Sequence, residues 1–273
     1  MKAFMQNWLP SRCATYLAAL IATSLFGGFA YAQDAQKGLQ IMQAQDASDA
    51  GWRTVRVRGE MVLVTAKGGI SRAFDLMRTE RPSRASGDNS RMTFSTPADV
   101  KGTVLLTHGN IEPKDDNQWL YLPATGQARR ISSGNRSGKF LSSEFSFEDM
   151  GGSELEDNTY GWLRDEACPG NAKLTCHVVA AYPKNRRSGY KQRVLWLDTG
   201  AYRVFQTDYF NRRGTLEKRM KSSGFRQYNG HWRPAMLDMV NLQTGKQTLL
   251  KWSDYKFGAQ ISASELSPQR LGN

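Results

Sequence analysis

The sequence is poor in the residues that usually carry chemistry. It has three histidines and three cysteines in 273 residues. His108, His177 and His231 fall in or beside strand-like stretches and belong to no HExxH pair or nucleophile elbow. No glycine-rich phosphate loop is present, and no His/Cys set has metal-ligand spacing. Ser142 and Ser143 have no base near them in sequence. Glu148 and Asp149 are adjacent, so on a strand or helix they point different ways and read as a helix start or a solvated face. Nothing here makes a positive case for an enzyme, a metal site or a cofactor.

Long apolar runs are scarce too. The one that stands out, "ATYLAALIATSLFGGFA" (14–30), follows Lys2 and Arg12 and ends in Ala30-Tyr31-Ala32. That is the pattern of a cleavable export signal over residues 1–32, and the run is short for a spanning helix of about 20 residues. No lipid-attachment box surrounds Cys13. Repeats, low-complexity tracts and interior linkers are absent, so residues 33–273 are expected to form one periplasmic domain. Cys168 and Cys176 in "CPGNAKLTC" remain after cleavage. An even pair so close together, behind an export signal, reads as a disulfide closing a short loop.

Charge of one sign is in short supply: 25 acidic residues face 37 basic ones, a formal net charge of +12. This balance favours an acidic partner, such as an anionic ligand or membrane surface. The cations are scattered singly along strands, however, and form no dense run or reader motif. Together with the export signal, this excludes nucleic acid.

What the chain does have is alternation. After an amphipathic, helix-like stretch at 34–51, "TVRVRGEMVLV" places Val55, Val57, Met61 and Leu63 on one parity and Arg56, Arg58 and Glu60 on the other. Eleven further segments read the same way, from "ISRAFDLMRT" to "KQTLLKWSDYKF", joined by turn-like "DTGA", "NRRG", "YNGH" and "QTGK". Such a pattern predicts a mainly β, antiparallel sandwich or barrel. Charges on both parities of several strands argue against an outer-membrane barrel, whose outward face is apolar.

One stretch does not alternate. In "RRISSGNRSGKFLSSEFSFEDM" (129–150), Arg129, Arg130, Arg136 and Lys139 precede Phe140, Leu141, Phe145, Phe147 and Met150, with Glu144, Glu148 and Asp149 among them. With the preceding "NQWLYLPATGQA", which supplies Trp119, Tyr121 and Pro123, it resembles the hallmark of the outer-membrane lipoprotein-sorting-like (LolA-like) exported proteins. There a W-x-Y-x-P strand leads through R-R-I into an S-x-x-F-x-x-S-x-(F/Y)-x-(F/Y)-E-D loop. "VLWLDTGAYRVFQTDYFNRRGTLEKRM" and "NGHWRPAMLDMVNLQTGKQTLLKW" are similar to the later hairpins of that family.

The resemblance implies a single strongly curved antiparallel sheet, an unclosed β-barrel, with short helices or loops covering its mouth. It also implies a carrier of lipid or lipoprotein acyl chains, accessory to an envelope exporter of the RND type. An acyl chain gains about 0.8 kcal/mol for each CH₂ hidden from water, so a carrier needs an apolar hollow and a cover. On this reading Trp119, Tyr121, Phe140, Leu141, Phe145, Phe147 and Met150 are expected to form the apolar cavity and its lid. Arg129, Arg130, Arg136 and Lys139 are expected to meet an anionic headgroup or membrane. The competing expectation is a non-enzymatic scaffold module docking on an envelope transporter, its apolar residues closing the barrel core permanently.

Overall fold

Residues 34–81 and 86–272 are described in a computed structural model. The export segment and the cleavage site after Ala32 lie outside the described residues. The chain opens with helix α1 (34–49). Strands β1 (Thr54–Thr65), β2 (Gly68–Thr79), β3 (Ser86–Phe94), β4 (Val104–Asn110), β5 (Asn117–Leu122) and β6 (Gln127–Arg130) then form a meander. An irregular segment with the short helix α2 (Phe147–Gly151) leads to β7 (Asn158–Cys168), β8 (Asn171–Pro183), β9 (Tyr190–Asp198), β10 (Val204–Asn211) and β11 (Leu216–Ser223). A small hairpin, β12 (Arg226–Tyr228) and β13 (His231–Arg233), precedes β14 (Met236–Asn241) and β15 (Gln247–Phe257).

Thirteen of these strands make one antiparallel sheet in the order β6-β5-β4-β3-β2-β1-β15-β14-β11-β10-β9-β8-β7. Long-range pairing of β1 with β15 joins the two meanders, Met61 lying opposite Leu250. The sheet must curl strongly, because one core holds Met61, Phe74, Met92, Phe94 and Leu105 from one half with Tyr190, Tyr209, Met239 and Leu250 from the other. Its two end strands, β6 and β7, are consecutive in the chain but do not pair with each other. The barrel is therefore unclosed, and the segment 131–157 bridges the gap.

Alternation sorts the two faces. Val55, Val57, Met61 and Leu63 turn inward as the sequence predicts, and Gly59 on the same parity leaves room for a ring. A Cβ there would lie 2.2 Å from the Phe74 side chain of the paired strand. On the convex side Leu106 is fully buried under the C-terminal tail. His108 Nε2 lies 2.6 Å from the Leu266 carbonyl, and Arg91 donates to the Glu265 carbonyl at 3.0 Å. Helix α1 packs Ile41 and Met42 against Tyr160, Val179 and Leu197. The approach is close: a Cβ on Gly38 would fall 2.6 Å from the Trp162 backbone nitrogen. The Cys168–Cys176 disulfide ties the β7–β8 hairpin at its turn.

Candidate functional site

The non-alternating segment folds into the concavity as a plug. Phe140 and Phe145 are 0% and 3% exposed. Phe140 packs on Phe94 and on Phe147 with ring centroids 6.0 and 5.5 Å apart. Leu141, Phe147 and Met150 pack against the same core while only partly buried.

Acidic side chains bolt the plug to distant strands. Asp149 is buried, accepts from Lys218 Nζ at 3.0 Å, and accepts at 2.9 Å from the Tyr190 hydroxyl. With Ser146 it also forms the capping box that starts α2. Burial alone would push the Asp149 carboxyl up, but Lys218 and the Ser146 N–H hold it below the usual range. Burial and the Asp149 charge push the Tyr190 hydroxyl well above its ordinary value, keeping it a donor. Glu144 accepts from Lys139 at 2.6 Å and from Asn241 at 3.0 Å. Glu148 accepts from Ser188 at 2.5 Å and from the Gly189 N–H at 2.9 Å. Arg72 and Gln118 donate to the carbonyls of Leu141 and Phe147 at 2.6 and 2.9 Å.

The plug does not fill the concavity. Beside it lies a hollow of about 220 Å³, walled by Phe145 and Met150 of the plug and by Leu76, Met92, Leu105, Tyr209, Met220, Leu237, Leu250 and Trp252 of the sheet, with Arg78, Asp88, Ser90 and Asp149 completing its lining. A second hollow of about 470 Å³ shares Arg78, Met220 and Leu237 with the first and continues to α1 and the β12–β13 hairpin. The larger is within the range of roughly 300–1,000 Å³ typical of small-molecule sites, and the smaller falls just below it. A depression of about 700 Å³ shares Leu76 with the inner hollow; Val57 and Met77 line it too, but Arg56, Arg58, Asp75, Arg91, Asp254 and Lys256 make it the more charged of the two.

Each residue singled out in the sequence has a definite place. Phe145 and Met150 line the inner hollow, while Phe140, Leu141 and Phe147 pack against the core behind them. Trp119 and Tyr121 are on the other face, because β5 presents Leu120 to the core and sets Trp119 opposite Leu106. There Trp119 meets His108 edge-on at 5.1 Å, and Tyr121 abuts Gly272. Arg129 and Arg130 are exposed on the edge strand β6, with Arg130 bonded to Asn117. Arg136 is paired with Asp115 at 2.9 Å and Lys139 with Glu144. None of these four cations lines either hollow.

The basic groups that do line them are Arg78, Arg203 and Arg233. Sequence reasoning missed all three. For Arg78 a signal existed: it shares the inward parity of Phe74 and Leu76 on β2, a cation where an apolar residue is expected.

A family model described only as an uncharacterized protein matches residues 86–273. No curated protein sequence matches the chain. Among solved structures, a domain from Vibrio parahaemolyticus named for outer membrane lipoprotein sorting is 35% identical. That match has a TM-score of 0.83 and covers 88% of this chain and 100% of the other. A DUF1329 family protein from Desulfovibrio piger (22% identity, TM-score 0.82, 87% of this chain and 99% of the other) has the same fold. So does a LolA superfamily protein from Nitrosomonas europaea, at 19% identity and TM-score 0.67, covering 85% of this chain and 98% of the other. An unclosed sheet plugged by its own hallmark segment, with that first likeness over nearly the whole chain, places the protein in the LolA-like family of outer-membrane lipoprotein-sorting protein domains.

Proposed function

We propose that the protein is a periplasmic carrier that shelters an acyl chain of a lipid or lipoprotein in the hollow between the plug and strands β2, β3, β11, β14 and β15. Residues 33–273 form the carrier domain behind a cleaved leader. The observation that carries this reading is the mainly apolar inner hollow, which abuts a core already dry and so offers burial without unfolding anything. Each methylene buried there would contribute about 0.8 kcal/mol before the losses of binding are subtracted. Met92, Met150 and Met220 suit a cargo of variable shape, since thioethers repack easily. The Cys168–Cys176 disulfide fits an oxidising envelope compartment. Handover to an envelope transporter such as an RND-type exporter is the role that family resemblance suggests.

Filling the hollow tests the proposal. Leu76→Trp and Leu237→Trp, both at half-buried wall positions, are expected to cut uptake of a fluorescent fatty acid by roughly tenfold or more, with the melting temperature nearly kept. Undiminished uptake in folded variants would sink the carrier reading. An empty hollow by native mass spectrometry, alongside a tight protein partner, would favour a docking module instead.

A further inference from the structure

The outer hollow has a composition that an acyl chain alone does not call for. Arg78, Arg203 and Arg233 stand in its wall, with the hydroxyls of Ser48, Tyr202 and Ser222. Each arginine is held in place. The rings of Trp232, Phe205 and Phe225 box the Arg203 guanidinium at 4.6, 5.6 and 5.8 Å. Buried Asp198 accepts from its Nε at 2.5 Å and pairs with its Nη2. Among the described residues its remaining nitrogen, Nη1, has no acceptor. Arg78 gives Nη2 to Asp88 at 2.8 Å and lies over Trp52.

Arg233 pairs with Asp49 at the end of α1, gives Nη1 also to the Trp232 carbonyl at 2.8 Å, and lies over the Phe257 ring.

The inner hollow is mainly apolar, with Arg78, Asp88, Ser90 and Asp149 as its polar wall residues, whereas the outer one sets three arginines against the single carboxylate of Asp49. The two meet at Arg78, Met220 and Leu237. That is the polarity of an amphiphile lying tail inward. Three guanidinium groups on separate elements call for an anion with acceptor oxygens on several sides, which a phosphate offers and a single carboxylate does not. We propose that the outer hollow is a headgroup site for a phosphate-bearing amphiphile, bound by Arg78, Arg203 and Arg233. The proposal rests on the acyl-chain reading of the inner hollow. It assigns the charged end of the cargo to α1 and the β12–β13 hairpin rather than to the edge strand bearing Arg129 and Arg130.

The test titrates the delipidated full chain with phosphatidylglycerol, with uncharged diacylglycerol of the same chains, and with inorganic phosphate. One phosphatidylglycerol per chain is expected. Arg233→Gln, at a position that lines the outer hollow alone, should weaken it roughly tenfold and leave diacylglycerol unchanged. Ser48→Asp, at an exposed position on α1, should produce the same selective loss by repulsion without removing an ion pair. Equal effects on both lipids, or none on either, would overturn the headgroup site while leaving the carrier standing. Phosphate bound as tightly as the lipid would also overturn it, in favour of a free-anion site. If the unaltered chain takes up neither lipid, the acyl-chain reading fails and this one falls with it.

Discussion

Asp149 shows how one residue can hold a segment in place. Its carboxylate joins Lys218 of β11, the Tyr190 hydroxyl of β9 and the Ser146 cap of α2. Lys218 in turn donates to the Glu144 carbonyl at 3.0 Å and lies over the Tyr190 and Tyr209 rings. Both charges are nearly out of water, at 4% and 7% side-chain exposure, so removing one strands the other. Asp149→Asn should therefore cost about 3–5 kcal/mol in urea unfolding, and Asp149→Leu with Lys218→Met should recover much of that loss. A cost near zero would mean the pair is not closed in solution. From sequence, the helix start at Glu148-Asp149 is readable, since Ser146 and Asp149 have capping-box spacing. Their burial is not, because the partners of these acids come from positions 188, 189, 190 and 218.

At the scale of elements, the strands that alternate are the ones the sequence reveals. β1 follows its apolar parity closely, while β9 shows as a continuous apolar run because it packs Val194 and Trp196 into one cluster and Leu195 and Leu197 into another. β7 escapes because only Tyr160 and Trp162 alternate before Arg164, Asp165 and Glu166 interrupt the pattern at the sheet's end. The β12–β13 hairpin, with three residues per strand, is too short to show a period. The plug was visible as an exception to alternation, yet its depth depends on a local turn. Leu141 and Ser142 both adopt positive φ, 46° and 62°, so that Phe140 and Phe145 enter the core on either side of a reversal. A left-handed residue with a Cβ costs roughly 1–2 kcal/mol. Ser142 is exposed and contributes no core packing, so Ser142→Gly should raise stability by up to about 1 kcal/mol, net of the added freedom of the unfolded chain. Phe140→Ala, by contrast, should cost about 3–5 kcal/mol. Thermal melts of the two variants moving in the same direction would contradict this view of the plug.

For the whole molecule the decisive problem is a sheet with two unpaired ends. The plug spans the gap, and a polar seam closes it: Asp115, in the β4–β5 loop, accepts from Arg136 of the plug and from Asn185 and Arg187 of the β8–β9 loop. Alongside lie two carboxyls altered by burial. Asp116 is raised to about 6, despite accepting from the Asn110 N–H and facing Arg136. Glu154 is raised to about 7, although it accepts from the Asp88 N–H and stands 3.8 Å from Arg81. In the unfolded chain both return to ordinary values near 4. Between those limits the folded state binds more protons than the unfolded one, so stability falls as pH rises from about 4.5 to 7 and then levels off. The stabilising effect of the neutral forms is fully present below the unfolded values. Asp149, held low, acts in the opposite sense and only toward strong acid. The urea midpoint should accordingly be higher at pH 5 than at pH 8, with Glu154 responsible for about 1–2 kcal/mol of the difference once solvent screening is allowed for. Glu154→Gln, which keeps a neutral side chain at every pH, should flatten the profile. Parallel profiles for the variant and the unaltered chain would place the pH dependence elsewhere.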